Sequence, residues 1–178
     1  MTRPVSEPLL AEVRRARTQD VPGIRALVDA YTGDRRLLEK ATVTLYEDVQ
    51  EFWVAVDEEL VVGCGALHVL WEDLAEVRTL AVAPGLHGRG VGAALLERLM
   101  DNARELGVRR VFCLTFETGF FGRHGFVPLA GALGDPGLLD ATVRAELMRS
   151  SDEGVAEFLD LERVKPNTLG NTRMLALV

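Results

Sequence analysis

Three closely spaced glycines, Gly88, Gly90 and Gly92, form the pattern in this sequence that most directly suggests chemistry. They lie between an apolar strand-like segment, residues 75–82, and a long amphipathic segment, residues 93–106. The first backbone N–H groups of a helix lack helical partners, and they coincide with the positive end of the helix dipole. Glycine permits backbone conformations and close approaches that side chains block. The pattern therefore predicts a binding site for an anion such as a diphosphate.

Other phosphate-binding motifs fit this stretch poorly. The letters GRGVGAALLE lack the glycine spacing of the dinucleotide fingerprint, and no Gly-Lys-Ser/Thr occurs anywhere in the chain. Alternatively, the glycines could serve only a tight turn from strand to helix. Their clustering favours the anion site over that alternative.

The elements that position this turn follow from hydrophobic periodicity and turn residues. A strand, a helix and a strand in succession around the glycines predict parallel neighbours in a sheet. The other expected elements are a strand over 13–17, a helix from Thr18 or Asp20 to Gly33, a weaker helix over 40–49, a hairpin of 52–56 and 61–70, a strand over 108–115, a short helix over 120–124, a core element from Val127, a helix over 138–151 and a closing strand over 172–178.

Length and composition predict one mixed α/β domain over residues 12–178, preceded by a loose leader over residues 1–11. The chain has 178 residues, of which 48% are hydrophobic and 26% charged. A net charge of −7 argues against a nucleic-acid partner. Cys64 and Cys113 lie in apolar runs and are expected to be buried thiols. No long apolar stretch predicts membrane insertion, so the expected compartment is the cytoplasm.

Two segments carry a resemblance to a known family. Residues 80–92, LAVAPGLHGRGVG, resemble the acetyl-CoA-binding segment of the GNAT N-acetyltransferases, whose usual pattern is Gln/Arg-x-x-Gly-x-Gly/Ala. Gly90 and Gly92 match that pattern, while His87 stands where glutamine or arginine is usual. Residues 120–126, FFGRHGF, resemble the family's Phe-Tyr-x-x-x-Gly-Phe segment.

The resemblance implies a mixed α/β GNAT fold, with a central, mostly antiparallel sheet, parallel and splayed fourth and fifth strands, and flanking helices. It also implies acetyl-CoA as co-substrate and no metal. Backbone groups of two strand residues would pair with the pantetheine arm, and the amides of the glycine turn would hold the pyrophosphate. The implied CoA-binding residues are Leu80, Ala81, Val82, His87, Gly88, Arg89, Gly90, Val91, Gly92 and Ala93.

Acetyl transfer to an amine needs a base, because only a neutral nitrogen attacks the thioester. Alternation along residues 75–82 places Glu76, Arg78, Leu80 and Val82 on one face. Glu76 matches the position of the family's catalytic glutamate, although an ion pair with Arg78 is the structural alternative.

The family's usual acid is a tyrosine, and this chain has Phe121 at that position. The thiolate would then leave unassisted or take a proton from another group such as a bound water. His124 is interpreted as a structural residue.

The acceptor is predicted from a closer resemblance, to the acetyltransferase domain of N-acetylglutamate synthases. The segments that carry it are LLEK at 37–40, CGAL at 64–67, AEVRTLAV at 75–82, VFCLT at 111–115 and RHGF at 123–126. This resemblance implies a short stand-alone enzyme that acetylates the α-amine of L-glutamate for arginine biosynthesis, with L-glutamine left open.

Substrate carboxylates need cations, and Lys40, Arg78 and Arg173 are the candidates; each could instead be a solvated surface cation. Two rival functions remain. One is acetylation of another small amine or a protein N-terminus, and the other is a non-catalytic CoA-binding module, which Phe121 and His87 favour. A homodimer is left open.

Overall fold

The computed structural model describes residues 11–32, 41–128 and 172–178. Short 3-10 turns precede α1, at Thr18–Asp20, and β2, at Val49–Glu51. In chain order, the described elements are β1 (Glu12–Arg15), α1 (Val21–Thr32), α2 (Thr42–Glu47), β2 (Phe52–Asp57), β3 (Leu60–Trp71), β4 (Leu74–Val82), α3 (Val91–Glu105), β5 (Arg110–Thr115), α4 (Thr118–Arg123), β6 (Val127–Pro128) and β7 (Thr172–Leu177).

The strands of the described residues form one sheet in the order β1-β2-β3-β4-β5-β7-β6. Pairing is mostly antiparallel, but β4 and β5 run parallel, with Glu76 opposite Phe112. The two strands are parallel because α3, which connects them, returns the chain to the level at which β4 begins, so that β5 runs in the same direction as β4. The mixed α/β fold with this parallel pair is therefore confirmed, while the splay of the two strands stays a prediction.

The chain divides into two compact units, and the first comprises residues 1–67 and 77–102. Its core forms where α1 and α2 pack on strands β2, β3 and β4. Burial of these apolar side chains is the main stabilising contribution to the unit. The fully or almost fully buried members are Val21, Ile24, Leu27, Val28, Leu45, Phe52, Val54, Cys64, Ala66 and Ala81.

Asp20 ties β1 to the start of α1. Its carboxylate accepts hydrogen bonds from both terminal nitrogens of Arg14, at 2.7 and 2.9 Å, and from the Arg17 N–H at 2.7 Å. Asp20 is only 5% exposed. The hydrogen bonds from Arg14 are the main reason that the pKa of Asp20 is lowered. The helix that begins the first unit is thus anchored by a charged network.

The second unit comprises residues 68–76 and 103–178, of which the described part centres on β5. β5 pairs with β7 along its whole length, from Arg110 opposite Leu177 to Thr115 opposite Thr172. Phe121 of α4 makes edge-to-face contacts with the rings of Phe120 and Phe126 at centroid distances of 5.2 and 5.1 Å. An aromatic cluster therefore holds α4 in this unit.

Several local expectations needed correction. Val127 is 51% exposed whereas Phe126 is 2% exposed, because β6 contributes only two edge residues and the larger aromatic ring takes the buried place. Helical spacing over 40–49 places Leu45, Tyr46 and Val49 on one side, but Tyr46 is 45% exposed, because the short helix α2 turns only Leu45 into the core. Helix α3 begins at Val91, two residues before the expected start.

Both cysteines are free and buried, as expected. Burial raises the pKa of the Cys64 thiol to about 12. Of the expected leader over residues 1–11, only Ala11 is described, and the expected helix over 138–151 lies outside the described residues. The single-domain organisation stays a prediction.

Candidate active site

The loop between β4 and α3 contains glycines whose backbone conformation requires glycine. Gly88 and Gly90 have φ angles of 76° and 86°, in the left-handed region that costs other residues about 1–2 kcal/mol. A Cβ added to either would meet no atom within 4 Å. Backbone conformation rather than packing therefore demands glycine here, and the space beside the loop is open to a ligand.

Helix α3 turns its amino end toward this loop. The Ala94 N–H donates to the Gly90 carbonyl at 3.0 Å and opens the helical hydrogen-bond ladder. The amides of Val91, Gly92 and Ala93 precede the ladder, so they are available to an anion at the positive end of the helix dipole. The donor set has the position that the sequence predicts for it, and its binding of a diphosphate stays a prediction.

Two glycines of β3 allow α3 to lie close to the sheet. A Cβ on Gly63 would be 2.9 Å from both Val91 Cγ1 and Leu95 Cδ1, closer than side chains pack. A Cβ on Gly65 would be 2.9 Å from Leu99 Cδ1. Sequence reasoning assigned these residues no role, although glycine inside a strand often marks a close approach. Gly63 in particular sets the position of the first turn of α3.

The end of β4 presents backbone groups to two different edges. The Ala83 N–H donates to the Val62 carbonyl of β3 at 2.8 Å, and the Ala81 carbonyl oxygen also lies on the β3 side, 3.3 Å from where a Cβ on Gly63 would be. Strand alternation then directs the backbone groups of Leu80 and Val82 to the opposite edge. That arrangement suits the pantetheine-binding role implied for these two residues. The side chain of Ala81 itself belongs to the core.

Thr79 interrupts the regular geometry of β4. Its φ is 54°, which is unusual for a β-branched residue and typical of a bulge. Its carbonyl accepts a hydrogen bond from the Cys64 thiol at 3.5 Å. The simple alternation assumed from the sequence therefore does not hold from Arg78 to Leu80. The expectation that Glu76 shares one face with Leu80 and Val82 loses its basis there.

His87 directs its side chain toward α1. Its Nε2 atom lies 2.6 Å from the hydroxyl oxygen of Tyr31, and the same hydroxyl donates to the Val82 carbonyl. Tyr31 is 56 positions away in sequence, and no local pattern indicates this contact. His87 is thus connected to Val82 through the Tyr31 hydroxyl, and its contribution to cofactor binding stays a prediction.

Glu76, the candidate base, belongs to the second unit. It is 8% exposed and lies opposite Phe112 in the parallel register of β4 and β5. Burial, and then the charge of Glu76, raise the pKa of the Cys113 thiol. Glu76 is therefore a buried side chain whose charge contributes to the raised pKa of a neighbouring buried thiol.

The candidate cations are placed unequally. Arg78 is half-buried on β4, and Arg173 is half-buried on β7 opposite Leu114. Lys40 lies outside the described residues, so its assignment stays a prediction. The first unit contains the backbone donors of the β4–α3 loop, and the second contains Glu76 and Arg173.

The residue at the usual tyrosine position serves packing. Phe121 is 5% exposed and belongs to the aromatic cluster of the second unit. His124 is exposed, and its Nδ1 lies 2.9 Å from the Phe120 carbonyl oxygen at the end of α4. This local contact fits the structural interpretation of His124.

No group of three or more His, Cys, Asp or Glu side chains in the described ranges is placed to hold a metal ion. None of the described helices has the length and apolar character needed to cross a membrane.

Comparison with known proteins agrees with the geometry. Residues 22–126 match the Acetyltransferase (GNAT) family. An amino-acid acetyltransferase of Mycobacterium tuberculosis is 59% identical over 169 residues, which are 93% of this chain and 94% of that protein. An amino-acid acetyltransferase of Neisseria meningitidis is 32% identical over 124 residues, which are 68% of this chain and 28% of that protein.

Solved structures give the same result. The crystal structure of Rv2747 from Mycobacterium tuberculosis, in complex with CoA and NLQ, matches with a TM-score of 0.79 at 59% identity, covering 94% of this chain and 99% of that one. N-acetylglutamate synthase from Neisseria gonorrhoeae, in complex with coenzyme A and N-acetyl-glutamate, matches with a TM-score of 0.71 over 96% of this chain and 36% of that one. At 24% identity the second likeness shows the fold alone.

The chain belongs to the GNAT family of acetyltransferases. It is an acetyltransferase with acetyl-CoA as its co-substrate, so the enzyme class and co-substrate predicted from the sequence are confirmed.

Proposed function

We propose that this protein transfers the acetyl group of acetyl-CoA to the α-amine of L-glutamate, with L-glutamine as the alternative acceptor. The observation that carries the proposal is the open glycine loop at the amino end of α3, which can hold the cofactor. An amino-acid acceptor is supported by the mycobacterial relative, an amino-acid acetyltransferase similar along almost its whole length. The choice of glutamate follows from segments that resemble the N-acetylglutamate synthases.

In this proposal acetyl-CoA is bound largely by backbone groups. The backbone groups of Leu80 and Val82 pair with the pantetheine arm, with the Val82 carbonyl also accepting from Tyr31, and the amides of residues 87–93 bind the pyrophosphate. The chain carries a net charge of −7, so an anionic ligand depends on such local donors. Backbone recognition also explains why the family's usual glutamine or arginine can be replaced by His87.

Glu76 acts as the general base, directly or through water. It accepts a proton from the substrate ammonium, and the neutral nitrogen then attacks the thioester carbonyl carbon. A C–N bond forms and the C–S bond breaks. The nitrogen loses its second proton as the amide forms, and CoA leaves as a thiolate that takes up one proton, so that one of the two protons released from the ammonium is left over for the solvent. Glu76 is buried away from bulk water. A carboxylate acts more strongly on a nearby ammonium in such a place than it does in water.

The leaving group has no tyrosine acid at the usual position. Phe121 carries no hydroxyl and is packed among other aromatic rings. In this proposal the thiolate leaves unassisted or is protonated by water. Catalysis in this protein should therefore not depend on proton donation by residue 121.

The acceptor carboxylates are bound by cationic side chains. Arg78 and Arg173 are the described candidates, and Lys40 is the third. An arginine can bind a carboxylate through two parallel hydrogen bonds, which gives orientation as well as charge. Two carboxylates in glutamate, against one carboxylate and one amide in glutamine, make this cation set the expected determinant of acceptor choice.

A panel of acceptors tests the proposal. Thiol release from acetyl-CoA should be measured with glutamate, glutamine, aspartate, arginine and spermidine as separate acceptors. Glutamate or glutamine should give the highest kcat/KM. A preference for spermidine would contradict an amino-acid acceptor, and CoA binding without thiol release for any acceptor would favour a non-catalytic CoA-binding module.

A further inference from the structure

We propose that Tyr31 is a positioning residue for the cofactor loop, and that His87 acts through Tyr31 rather than by direct contact with the cofactor. The inference rests on the proposed role of the β4–α3 loop in binding CoA. It concerns residues of the first unit only, namely the end of α1, the end of β4 and the loop itself.

The direction of the hydrogen bonds follows from the groups involved. A carbonyl can only accept, so the single hydroxyl hydrogen of Tyr31 is donated to the Val82 carbonyl. The hydroxyl oxygen can then only accept from His87, whose Nε2 lies 2.6 Å away. Nε2 of His87 must therefore carry a hydrogen, which defines a chain of two bonds from His87 through Tyr31 to Val82.

This chain joins the two parts of the cofactor site that rely on backbone groups. Val82 directs its carbonyl to the edge of β4 assigned to the pantetheine arm, and His87 begins the segment assigned to the pyrophosphate. Between them, the Leu86 N–H donates to the Ala83 carbonyl at 3.0 Å and forms a turn. Tyr31, which belongs to α1, thus connects the residues on either side of this turn through its hydroxyl.

Tyr31 is suited to this role because its ring is held by the core. The ring is half-buried and packs against the apolar cluster of the first unit, as does Ala83. The hydroxyl is therefore presented from a fixed support, and a ligand finds the loop already arranged. Preorganisation of this kind raises affinity because less ordering is needed on binding.

The test compares CoA affinities by calorimetry. Tyr31→Phe keeps the ring and removes both hydrogen bonds, so we expect CoA affinity to fall about five-fold and kcat to change less. His87→Leu removes only the bond between His87 and Tyr31, so its loss should be no larger than that of Tyr31→Phe. The double variant should lose no more than Tyr31→Phe alone, because Tyr31→Phe already breaks the whole chain. His87→Gln retains an N–H donor and should recover most of the affinity lost in His87→Leu.

Tyr46→Phe is the matched control, because Tyr46 is exposed on α2 and outside this site. It should leave CoA affinity as in the wild type. Losses that add in the double variant would show that His87 contacts the cofactor directly and would overturn the inference. Wild-type affinity in Tyr31→Phe would overturn it as well.

A ligand-free measurement separates this inference from the proposed function. Nitrogen-15 NMR of the imidazole should show hydrogen on Nε2 of neutral His87, and this preference should weaken in Tyr31→Phe. Hydrogen on Nδ1 alone would contradict the hydrogen-bond chain itself. If hydrogen is found on Nε2 of His87 but the wild type binds no CoA, then the hydrogen-bond chain exists and the proposed function is wrong. The role of Tyr31 in positioning a cofactor loop is then wrong as well.

Discussion

The loop proposed to bind CoA and the strand segment around Glu76 differ in the kind of group that the proposed function assigns to them. In the loop from Gly85 to Ala93 the proposed donors are backbone amides, and the requirement for glycine follows from φ angles near 80°. In the segment around Glu76, and for the acceptor candidates, the proposed groups are side chains, whose roles depend on residues distant in sequence. Recognition by backbone is thus visible in the residue types themselves, whereas recognition by side chains depends on the folded arrangement.

The largest expected effect is on catalysis. Glu76→Gln removes the proposed base, so we expect kcat to fall about a thousandfold while the KM for acetyl-CoA changes less than about twofold. The defect should be largest below the pKa of the amine, where the acceptor nitrogen is protonated. Initial rates of thiol release across pH measure both effects. Glu97→Gln, an exposed substitution on α3, is the control, and wild-type rates for Glu76→Gln at every pH would exclude it as base.

Next in size is a change to the loop. Gly90→Glu forces a non-glycine residue into a φ of 86° and adds a negative charge beside the proposed pyrophosphate site, so CoA affinity should fall about a hundredfold. Calorimetry with CoA measures this loss.

Gly107→Glu is a closely matched control for Gly90→Glu. Gly107 also has a positive φ, 81°, and open space around its missing Cβ, but it follows the carboxyl end of α3. The same substitution there should retain CoA affinity. Equal losses of affinity in both variants would mean that general destabilisation, and not the loop, explains the result.

A smaller effect should come from the support of the loop. Gly63→Ala introduces a methyl group against Val91 and Leu95, so the first turn of α3 must shift. We expect a loss of about 2 kcal/mol in the free energy of unfolding and about a tenfold loss in CoA affinity. Denaturant unfolding and calorimetry measure the two quantities. Gly122→Ala, which meets no atom within 4 Å, is the control, and unaltered CoA affinity in Gly63→Ala would contradict the supporting role.

The smallest effect on function should come from neutralising a buried carboxylate in the first unit. Asp20→Asn weakens the bonds with Arg14 and should cost about 2 kcal/mol of stability at neutral pH with CoA affinity retained.

The pH dependence of this loss has a definite sign. The pKa of Asp20 is lowered in the folded state, so its contribution is complete above the unfolded pKa of about 3.9 and declines as pH falls through the lowered folded value. Chemical unfolding of both proteins between neutral and strongly acidic pH should therefore show their difference shrinking below about pH 4. A constant difference would contradict this assignment.

Much of the fold follows from local sequence patterns. The apolar stripe expected over 93–106 is buried at Leu95, Leu96, Leu99 and Ala103, whereas Leu106, which follows the last residue of α3, is 56% exposed. The hairpin of β2 and β3 forms at the expected polar turn. The glycine turn and its strand–helix–strand setting were likewise predictable. These features depend on periodicity and on residues whose conformational preferences are intrinsic.

The remaining features depend on tertiary structure. Nothing local indicates a positive φ at Thr79, because β-branched residues normally avoid that region. The contact of Tyr31 with His87 joins residues that only the fold brings together. The exposure of Val127 beside buried Phe126 is decided by competition for one core position, which an apolar pattern alone does not resolve.

The most direct test of the central claim is a map of the backbone amides that respond to CoA. Proton–nitrogen NMR spectra of the 19.5 kDa protein should be recorded with CoA and, separately, with pantetheine, which lacks the pyrophosphate. The amides of residues 88–93 should shift strongly with CoA and weakly with pantetheine, while the amide of Gly107 should shift with neither. Saturation with CoA that leaves the amides of residues 88–93 unshifted would contradict the account.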